Sequence, residues 1–432
     1  MDEQSGGNKK TAKECLDIII EQYLESNPMM RSDGLTNEIE MRFGNDHKIS
    51  KITKIDYDNV AQTLCNHGFK FKENFHSLRI FHEFKDVNTG KIRDSNIRAE
   101  VIGTDAIKQY CETNSLEKLI SHYNGHEINS KLKFTLKQRP KYLENGIEVP
   151  SSSADFNDFN VRVSYQLERI YNKNHNLVQS IIENWNDVKK KFRLLNRVRF
   201  YHEKLPIFAD LSIIKMSKTS QKNMMKSYGL SDSGLLDSSD YKYEIEMELD
   251  NSKIGNLGEK EFQTIKGIQG LLRKVMRIVL CGIQKSNYPI SFPDMKIVQK
   301  DYMKMIHGSS YDNKPIVGKN FIGPNSKTLR MEHIQDMGDE TINGPNIRVN
   351  YTVTDKADGE RRLLYIDNNG KFYMIDTNMR VVYTGTELND VDRNKKLCNS
   401  LLDGEYIIQD KKGNKMNLYA AFDIYYIDKE SV

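Results

Sequence analysis

The five cysteines, Cys15, Cys65, Cys111, Cys281 and Cys398, lie far apart in the chain and form no C-x-x-C pair. That excludes a zinc-ribbon spacing and offers no disulfide framework, which fits a reducing compartment. Long hydrophobic runs are also missing. No stretch approaches the ~20 apolar residues that span a bilayer, so no membrane partner is expected. The apolar segment from Cys15 to Leu24 is broken by charges and reads as an amphipathic helix, not a signal peptide. Charge of one sign is scarce as well: the net charge is +4 and the pI about 8.5. A polyanionic partner is permitted by that balance but not demanded, so any anion site must come from local clustering. There is no internal repeat, and the only low-complexity stretch is the Ser-, Lys- and Gly-rich Ser217–Asp240, expected to be a mobile loop.

A chain of 432 residues, 38% hydrophobic and 29% charged, is globular and too long for one ordinary domain. Residues 36 to 250 are mostly strand-like, with short alternating segments between Asn, Gly, Asp and Pro. One helix is expected from Asn176 to about Lys191, and a long one from about Gly258 to Lys285, where Ile265, Ile268, Leu272, Val275 and Val279 recur at helical spacing. Tyr288–Pro293 reads as a linker. The expected architecture is therefore α+β. Residues 1–287 form an antiparallel β-barrel with flanking helices, and residues 288–432 form a second unit of mixed or antiparallel sheets. Because the chain stops straight after an apolar strand, that second unit is expected to be a fragment of a larger domain.

Two acidic strands stand out in the first unit. Glu38 and Glu40 lie two apart, as do Glu244, Glu246 and Glu248, with Ile and Met between them. Period-two residues share one face of a strand, so each strand carries a carboxylate row and an apolar row. Two such rows in one domain repel unless a divalent cation lies between them, and all-oxygen ligands favour Mg²⁺ or Mn²⁺. Segments of opposite charge come between these strands: Arg98, Lys131 and Lys133, Arg162, Arg197 and Arg199. Together they describe a closed barrel with a charged interior, carboxylates holding metal on one wall and cations gripping a triphosphate from the others. Asp210 is a further inward candidate that would position water.

The second unit carries Lys356-Ala357-Asp358-Gly359-Glu360-Arg361, followed downstream by Asp403-Gly404-Glu405 and by Phe422-Asp423-Ile424-Tyr425. A lysine before Asp-Gly, with a later Asp-Gly-Glu, suits an amine that attacks the α-phosphate of a nucleoside triphosphate. Neighbouring cations such as Arg361, with partial desolvation, would lower the pKa of Lys356. Gly359 would allow a turn beside the sugar, and Glu405 would bind ribose or a metal. The lysine motif alone also fits an ATP-dependent polynucleotide ligase, and the whole pattern fits a non-catalytic RNA-binding protein with decayed sites.

The acidic strands resemble the signature strands of triphosphate tunnel metalloenzymes. The second unit resembles mRNA guanylyltransferases, in which Phe321–Arg330 looks like the segment that closes over guanine. The two in tandem are similar to the capping enzymes of large DNA viruses. This resemblance implies removal of the γ-phosphate from 5′-triphosphate RNA, then GMP transfer from GTP through Lys356. It implies Glu38, Glu40 and Glu248 as metal ligands, with Glu244, Glu246 and Asp210 as supporting catalytic carboxylates. Arg98, Lys131, Lys133, Arg162, Arg197 and Arg199 would contact the RNA triphosphate. Arg330, Asp358, Gly359, Arg361, Glu405 and Phe422 would hold GTP. A methyltransferase region or subunit is a further expected partner, and a viral chain would work in a cytoplasmic factory or the virion.

Overall fold

The computed structural model describes residues 10–28, 33–85, 90–123, 125–144, 146–220, 223–237, 240–255, 258–308, 311, 315–324, 327–336, 346–353, 356–389 and 397–432. The chain divides into two compact units, Met1–Lys285 and Ser286–Val432.

The first unit is built on eight antiparallel strands: β1 (Thr36–Phe43), β2 (Phe69–Lys85), β3 (Ile92–Ile102), β4 (Leu132–Gln138), β5 (Val161–Tyr171), β6 (Lys190–His202), β7 (Ile207–Met216) and β8 (Lys242–Leu249). Their order is β1-β8-β7-β6-β2-β3-β4-β5, and β5 pairs back onto β1, so the sheet closes on itself. The alternation of each strand sets its two faces. Ile39, Met41 and Phe43, Ile245, Met247 and Leu249, and Val161, Val163 and Tyr165 are all at most 4% exposed and point outward. They pack under α1 (Ala12–Glu25), α2 (Lys54–Asn66) and the long α6 (Ile265–Gln284). A second cluster on the other side covers Leu78, Ile80, Ala99, Val101 and Phe134 with α3 (Thr104–Thr113), α4 (Leu116–His122), α5 (Asn176–Glu183) and Trp185. The apolar core thus lies outside the barrel, and the polar faces are turned inward.

Several elements differ from expectation. Helices α2, α3 and α4 lie within the stretch read as strands. Helix α2 buries only Asp56, Val60 and Leu64, a thin apolar signal, but Thr53 and Asp56 form a reciprocal cap at its start. The helix expected from Asn176 to Lys191 stops at Glu183, and strand β6 already begins at Lys190. Ser217–Asp240 holds a short hairpin, Thr219–Ser220 with Asn223–Met224, and its Leu230 and Leu235 are buried. Those two leucines anchor what was read as a mobile loop. Pro293 sits in the first turn of α7 (Phe292–His307), capped by Ser291, so the expected linker ends inside a helix.

Helix α6 meets α2 through Gly282, where an added Cβ would lie 2.8 Å from the Val60 Cα. Gly282→Val is expected to cost about 1–3 kcal/mol, read as a lower midpoint in urea denaturation at unchanged slope. An unchanged midpoint would show that the two helices separate freely at this crossing.

The second unit is a six-stranded antiparallel sheet, among the described residues. In chain order its strands are β9 (Glu360–Ile366), β10 (Lys371–Asp376), β11 (Val381–Glu387), β12 (Ser400–Gln409), β13 (Lys415–Ile427) and β14 (Glu430–Ser431), and in space they run β11-β10-β9-β12-β13-β14. Helix α7 packs Val298, Tyr302 and Met303 against Leu363, Tyr365, Ile375 and Leu401. The Tyr302 hydroxyl donates to the Asn320 carbonyl (2.8 Å) and accepts from the Ile322 N–H (3.0 Å). That clamp fixes the entry to Phe321–Pro324. No helix among the described residues is long and apolar enough to cross a membrane.

Candidate functional site

Register brings the acidic rows together. Glu40 is the cross-strand partner of Glu248, Arg42 of Glu246, and Asp210 of Glu246 on the other side. Arg199 faces Asp210, and Arg197 faces Ser212. Because these residues share the inward face, ion pairs reach across intervening strands. Arg197 donates to Asp210 (2.7 Å), Glu246 (2.6 Å) and Ser212 (2.9 Å). Arg199 binds Asp210 through two nitrogens (2.7 and 2.6 Å) and reaches Glu248 (2.5 Å). Arg42 holds Glu246, and Arg193 holds Glu244. On the far wall Lys137 pairs with Glu38 and Glu168, Arg98 lies 3.4 Å from Glu168, and Arg79 lies 2.9 Å from Glu100.

The electrostatics follow from this crowding. Burial, then the Glu40 carboxylate, pushes Glu38 well above the usual carboxylate range. Burial and Glu246 push Glu40 the same way, but Lys137, the Glu38 hydrogen bond and Arg42 outweigh them and hold it low. Burial pushes Glu248 up to about 7, against the pull of Arg199. Burial would also raise Glu246, but Arg197 and Arg42 hold it far below the ordinary range.

Glu100 makes this linkage measurable away from the acidic rows. Burial alone would raise it, yet Arg79 and Arg98 outweigh that and hold it at about 2. A depressed carboxylate stabilises the fold above its unfolded pKa and loses that contribution as pH falls towards the folded value. The stability gap between wild type and Glu100→Gln is therefore expected to narrow as pH drops from about 4.5 to about 2. Denaturation midpoints over that range test it, and a constant gap would remove the ion-pair assignment.

Among the described residues, no three His, Cys, Asp or Glu side chains converge closely enough to hold a metal. The donor chemistry of Glu38, Glu40 and Glu248 nonetheless fits a hard divalent cation. All three offer carboxylate oxygen, and burial, with neighbouring carboxylates adding to it, raises Glu38 and Glu248.

The barrel also keeps donors in reserve. The Nε atoms of Arg98 and Arg193 are buried without a hydrogen-bond partner. Lys133, the cross-strand partner of Glu100, has no ion pair among the described residues. Two expected phosphate contacts are taken up by other partners. Lys131 ends the short helix Ile128–Lys131 before β4 begins, and there it pairs with Asp105 (2.9 Å). Strand parity fails for it because the chain is still helical. Arg162 is bound bidentately by Asp155 (2.6 and 2.9 Å) on the neighbouring strand Ala154–Phe156. Arg42, Arg79, Glu100, Lys137, Glu168 and Arg193 are members of the interior that were not singled out. Arg42 was the most readable, two residues beyond Glu40.

In the second unit Asp403, fully buried, is the organising charge. Arg361 grips it with Nε (3.1 Å) and Nη2 (2.5 Å), and the Tyr425 hydroxyl donates to it at 2.6 Å. Arg361 also donates to the Pro324 carbonyl (2.6 Å) and lies 5.5 Å from the Phe321 ring centroid. Gly323, at φ +119°, admits this packing: an added Cβ would fall 2.3 Å from Arg361. Gly359 similarly lies against Tyr406, whose carbonyl would meet a Cβ at 2.7 Å. Glu405 is the register partner of Arg361, and its Oε2 is buried without a partner.

The expected nucleophile is open. The Lys356 side chain is 85% exposed, 3.3 Å from the Ala357 carbonyl and 3.5 Å from Asp358. The expected desolvation is absent, and Arg361 is committed to Asp403 and Pro324. Asp358 is 96% exposed, Phe422 is 59% exposed, and Arg330 is 76% exposed beside Glu332, so none of these three joins the Asp403 cluster. Thr354 and Asp355, which open the lysine motif, lie outside the described residues.

Residues 294–432 match the family model "mRNA capping enzyme, catalytic domain". The second unit is similar to capping-enzyme catalytic domains. The chain is also 30% identical over 186 residues to the "Probable mRNA-capping enzyme" of Acanthamoeba polyphaga mimivirus. That alignment takes in 43% of this chain and 13% of the relative, so the chain spans a small part of that protein's length. Among solved structures, an S. pombe Pct1 RNA triphosphatase in complex with the Spt5 CTD overlaps 62% of this chain and 93% of its own, at 13% identity and a TM-score of 0.31. The PH1819 protein from Pyrococcus horikoshii OT3 overlaps 56% of this chain and 89% of its own, at 14% identity and a TM-score of 0.25.

Proposed function

We propose that the chain carries out two steps of mRNA capping, with the barrel removing the γ-phosphate from 5′-triphosphate RNA and the capping-type unit transferring GMP. The observation that carries the first step is the pair of orphaned buried donors, Arg98 Nε and Arg193 Nε, inside a closed and charged barrel. A buried N–H without an acceptor costs roughly 1–3 kcal/mol, and a bound phosphate oxygen recovers it. Arg98, Arg193 and Lys133 then grip the polyphosphate. Arg197 and Arg199 hold Asp210 and the glutamate rows in fixed geometry, so Asp210 and Glu246 stay aimed at the bound chain without reorganisation. Glu38, Glu40 and Glu248 would hold Mg²⁺ or Mn²⁺. The metal, when bound, supplies charge stabilisation at the γ-phosphate.

The match over residues 294–432 supports the second step. The Lys356 Nζ forms a bond to the α-phosphorus of GTP, the α–β anhydride breaks, pyrophosphate leaves, and the amine loses its proton to solvent. Attack by the 5′-diphosphate RNA end then releases the lysine and makes the cap. Gly359 and the Arg361–Asp403–Tyr425 block position the loop that carries Lys356, and Glu405 offers its unpartnered oxygen to the nucleotide sugar.

The test is phosphate release from γ-labelled 5′-triphosphate RNA with Mg²⁺ or Mn²⁺, run beside covalent labelling with α-labelled GTP. Metal-dependent release and a GTP label are the expected results. A folded protein that releases nothing with either ion would overturn the barrel assignment, and labelling by ATP in place of GTP would move the second unit to ligase chemistry.

A further inference from the structure

A cavity of about 180 Å³ lies beside the charged interior, lined by Phe81, His82, Asp94, Lys191, Met224 and Lys226, with Lys189 and Ser95 completing it. Its position follows from register. Phe81 is the cross-strand partner of Lys191 on one side and of Arg98 on the other. One rung earlier the same strands carry Arg79 opposite Arg193 and Glu100. Two residues advance roughly 7 Å along a strand, so Phe81 stands directly opposite the orphaned Arg98 and one step beyond the orphaned Arg193 on the same inward face.

The lining is mixed in a specific way. Phe81 and Met224 give apolar walls, while three lysines bring positive charge. Lys226 pairs with Asp94 (2.6 Å) and Glu83 (2.7 Å), Lys191 pairs with Asp94 (3.1 Å), and Lys189 has no ion pair among the described residues. His82 is 3% exposed, and its ring lies 5.6 Å from Trp185. Its Nδ1 sits 2.8 Å from the Glu83 carbonyl, which accepts only, so Nδ1 carries the proton. The other nitrogen, Nε2, is buried beside the Ile97 backbone and makes no well-formed hydrogen bond. A plain phosphate site has no use for an aromatic wall or a buried histidine. A nucleotide uses all of them: a base stacks on the ring, a base N–H or ribose hydroxyl donates to the histidine, and the backbone phosphate meets the lysines.

We infer that this cavity is a nucleotide subsite, in which Phe81, His82 and Lys189 hold an early nucleotide of the RNA whose 5′ phosphates lie by Arg98 and Arg193. The inference rests on the triphosphatase reading for the orientation of the RNA. It assigns the cavity a part in choosing an RNA end over a free polyphosphate.

The test uses a 5′-diphosphate oligoribonucleotide carrying 4-thiouridine at its second or third position and a 3′ fluorophore. Irradiation is expected to crosslink the base to the peptides containing Phe81 or Met224. Fluorescence anisotropy is expected to show about ten-fold weaker binding for Phe81→Ala, in line with the loss of one base–aromatic stack, and near wild-type binding for Phe81→Tyr, which keeps the ring. Thermal melting of both variants separates lost binding from lost fold. Crosslinks that map only elsewhere, or a folded Phe81→Ala that binds the RNA as wild type does, would overturn the subsite. A wild type that crosslinks here yet releases no phosphate with any divalent ion would instead sink the triphosphatase reading and leave the subsite standing.

Discussion

Glu246→Ala is expected to lower phosphate release by at least about a hundred-fold and to destabilise the first unit by roughly 3–5 kcal/mol. The carboxylate is 3% exposed and divides its two oxygens between two cations: Oε1 takes Arg42, and Oε2 takes Arg197. Alanine removes both acceptors at once. Arg197 keeps Asp210 and Ser212, but Arg42 is left with Glu40 at 3.6 Å as its remaining carboxylate. Two effects follow from one deletion. The buried Arg197 loses one of its two carboxylates and the half-exposed Arg42 loses its nearest one, which costs stability, and a freed Arg42 swings towards the Glu40–Glu248 pair and upsets the place proposed for the cation. Glu246→Gln separates them, since it keeps the shape and one acceptor but removes the charge. The glutamine variant is expected to regain a good part of the lost melting temperature and little of the lost rate. Calorimetry and the labelled-phosphate assay on both variants decide the matter. If Glu246→Ala melts as wild type does, the network is not holding the barrel; if it also releases phosphate normally, the interior is not the catalytic surface.

How much of this was readable beforehand depended on whether a residue's partner was near in the sequence. The period-two glutamates announced their common face, because parity is a local property of a strand. Ile39 and Met41, alternating with them, announced the outer core for the same reason. Lys137 was not placed against Glu38, nor Arg98 against Glu168, since those pairs exist only once eight strands close and two distant segments come into register. Lys131 shows where parity fails, because a single helical turn persists into the residue before β4. Helices α2 to α4 were missed for an energetic reason. They bury two or three side chains each, so their apolar repeat is faint. In the second unit the motif residues Asp403 and Arg361 signalled chemistry. Their mutual ion pair, and the Phe321–Gly323 segment laid over it, needed three dimensions.

Lys356→Ala is expected to abolish the covalent guanylate label altogether while leaving the melting temperature of the protein almost unchanged. The two halves of that expectation have separate causes. The side chain is 85% exposed and, among the described residues, meets its neighbours Ala357 and Asp358, so truncation shifts stability by less than about 0.5 kcal/mol. The Arg361–Asp403–Tyr425 block, which holds the unit together beside it, is untouched. Loss of label therefore reports the missing nitrogen and not a missing fold. Lys356→Arg sharpens the point. Arginine keeps the positive charge and much of the reach, but its guanidinium does not give up a proton in water and has no free lone pair for phosphorus. It too is expected to carry no label, which an attraction-only role for Lys356 does not explain. Peptide mapping of the labelled wild type locates the label, and its release by acidic hydroxylamine identifies it as a phosphoramidate. A label that survives in Lys356→Ala, or one found on another residue, would remove Lys356 from the mechanism. The exposure of Lys356 adds a kinetic expectation. The side chain starts in water, so under the proposed mechanism the amine is expected to become a nucleophile only once bound nucleotide desolvates it, at a cost in ordering entropy. Substitutions that loosen the Gly323 contact with Arg361, such as Gly323→Ala, are thus expected to slow labelling at low GTP more than at saturation.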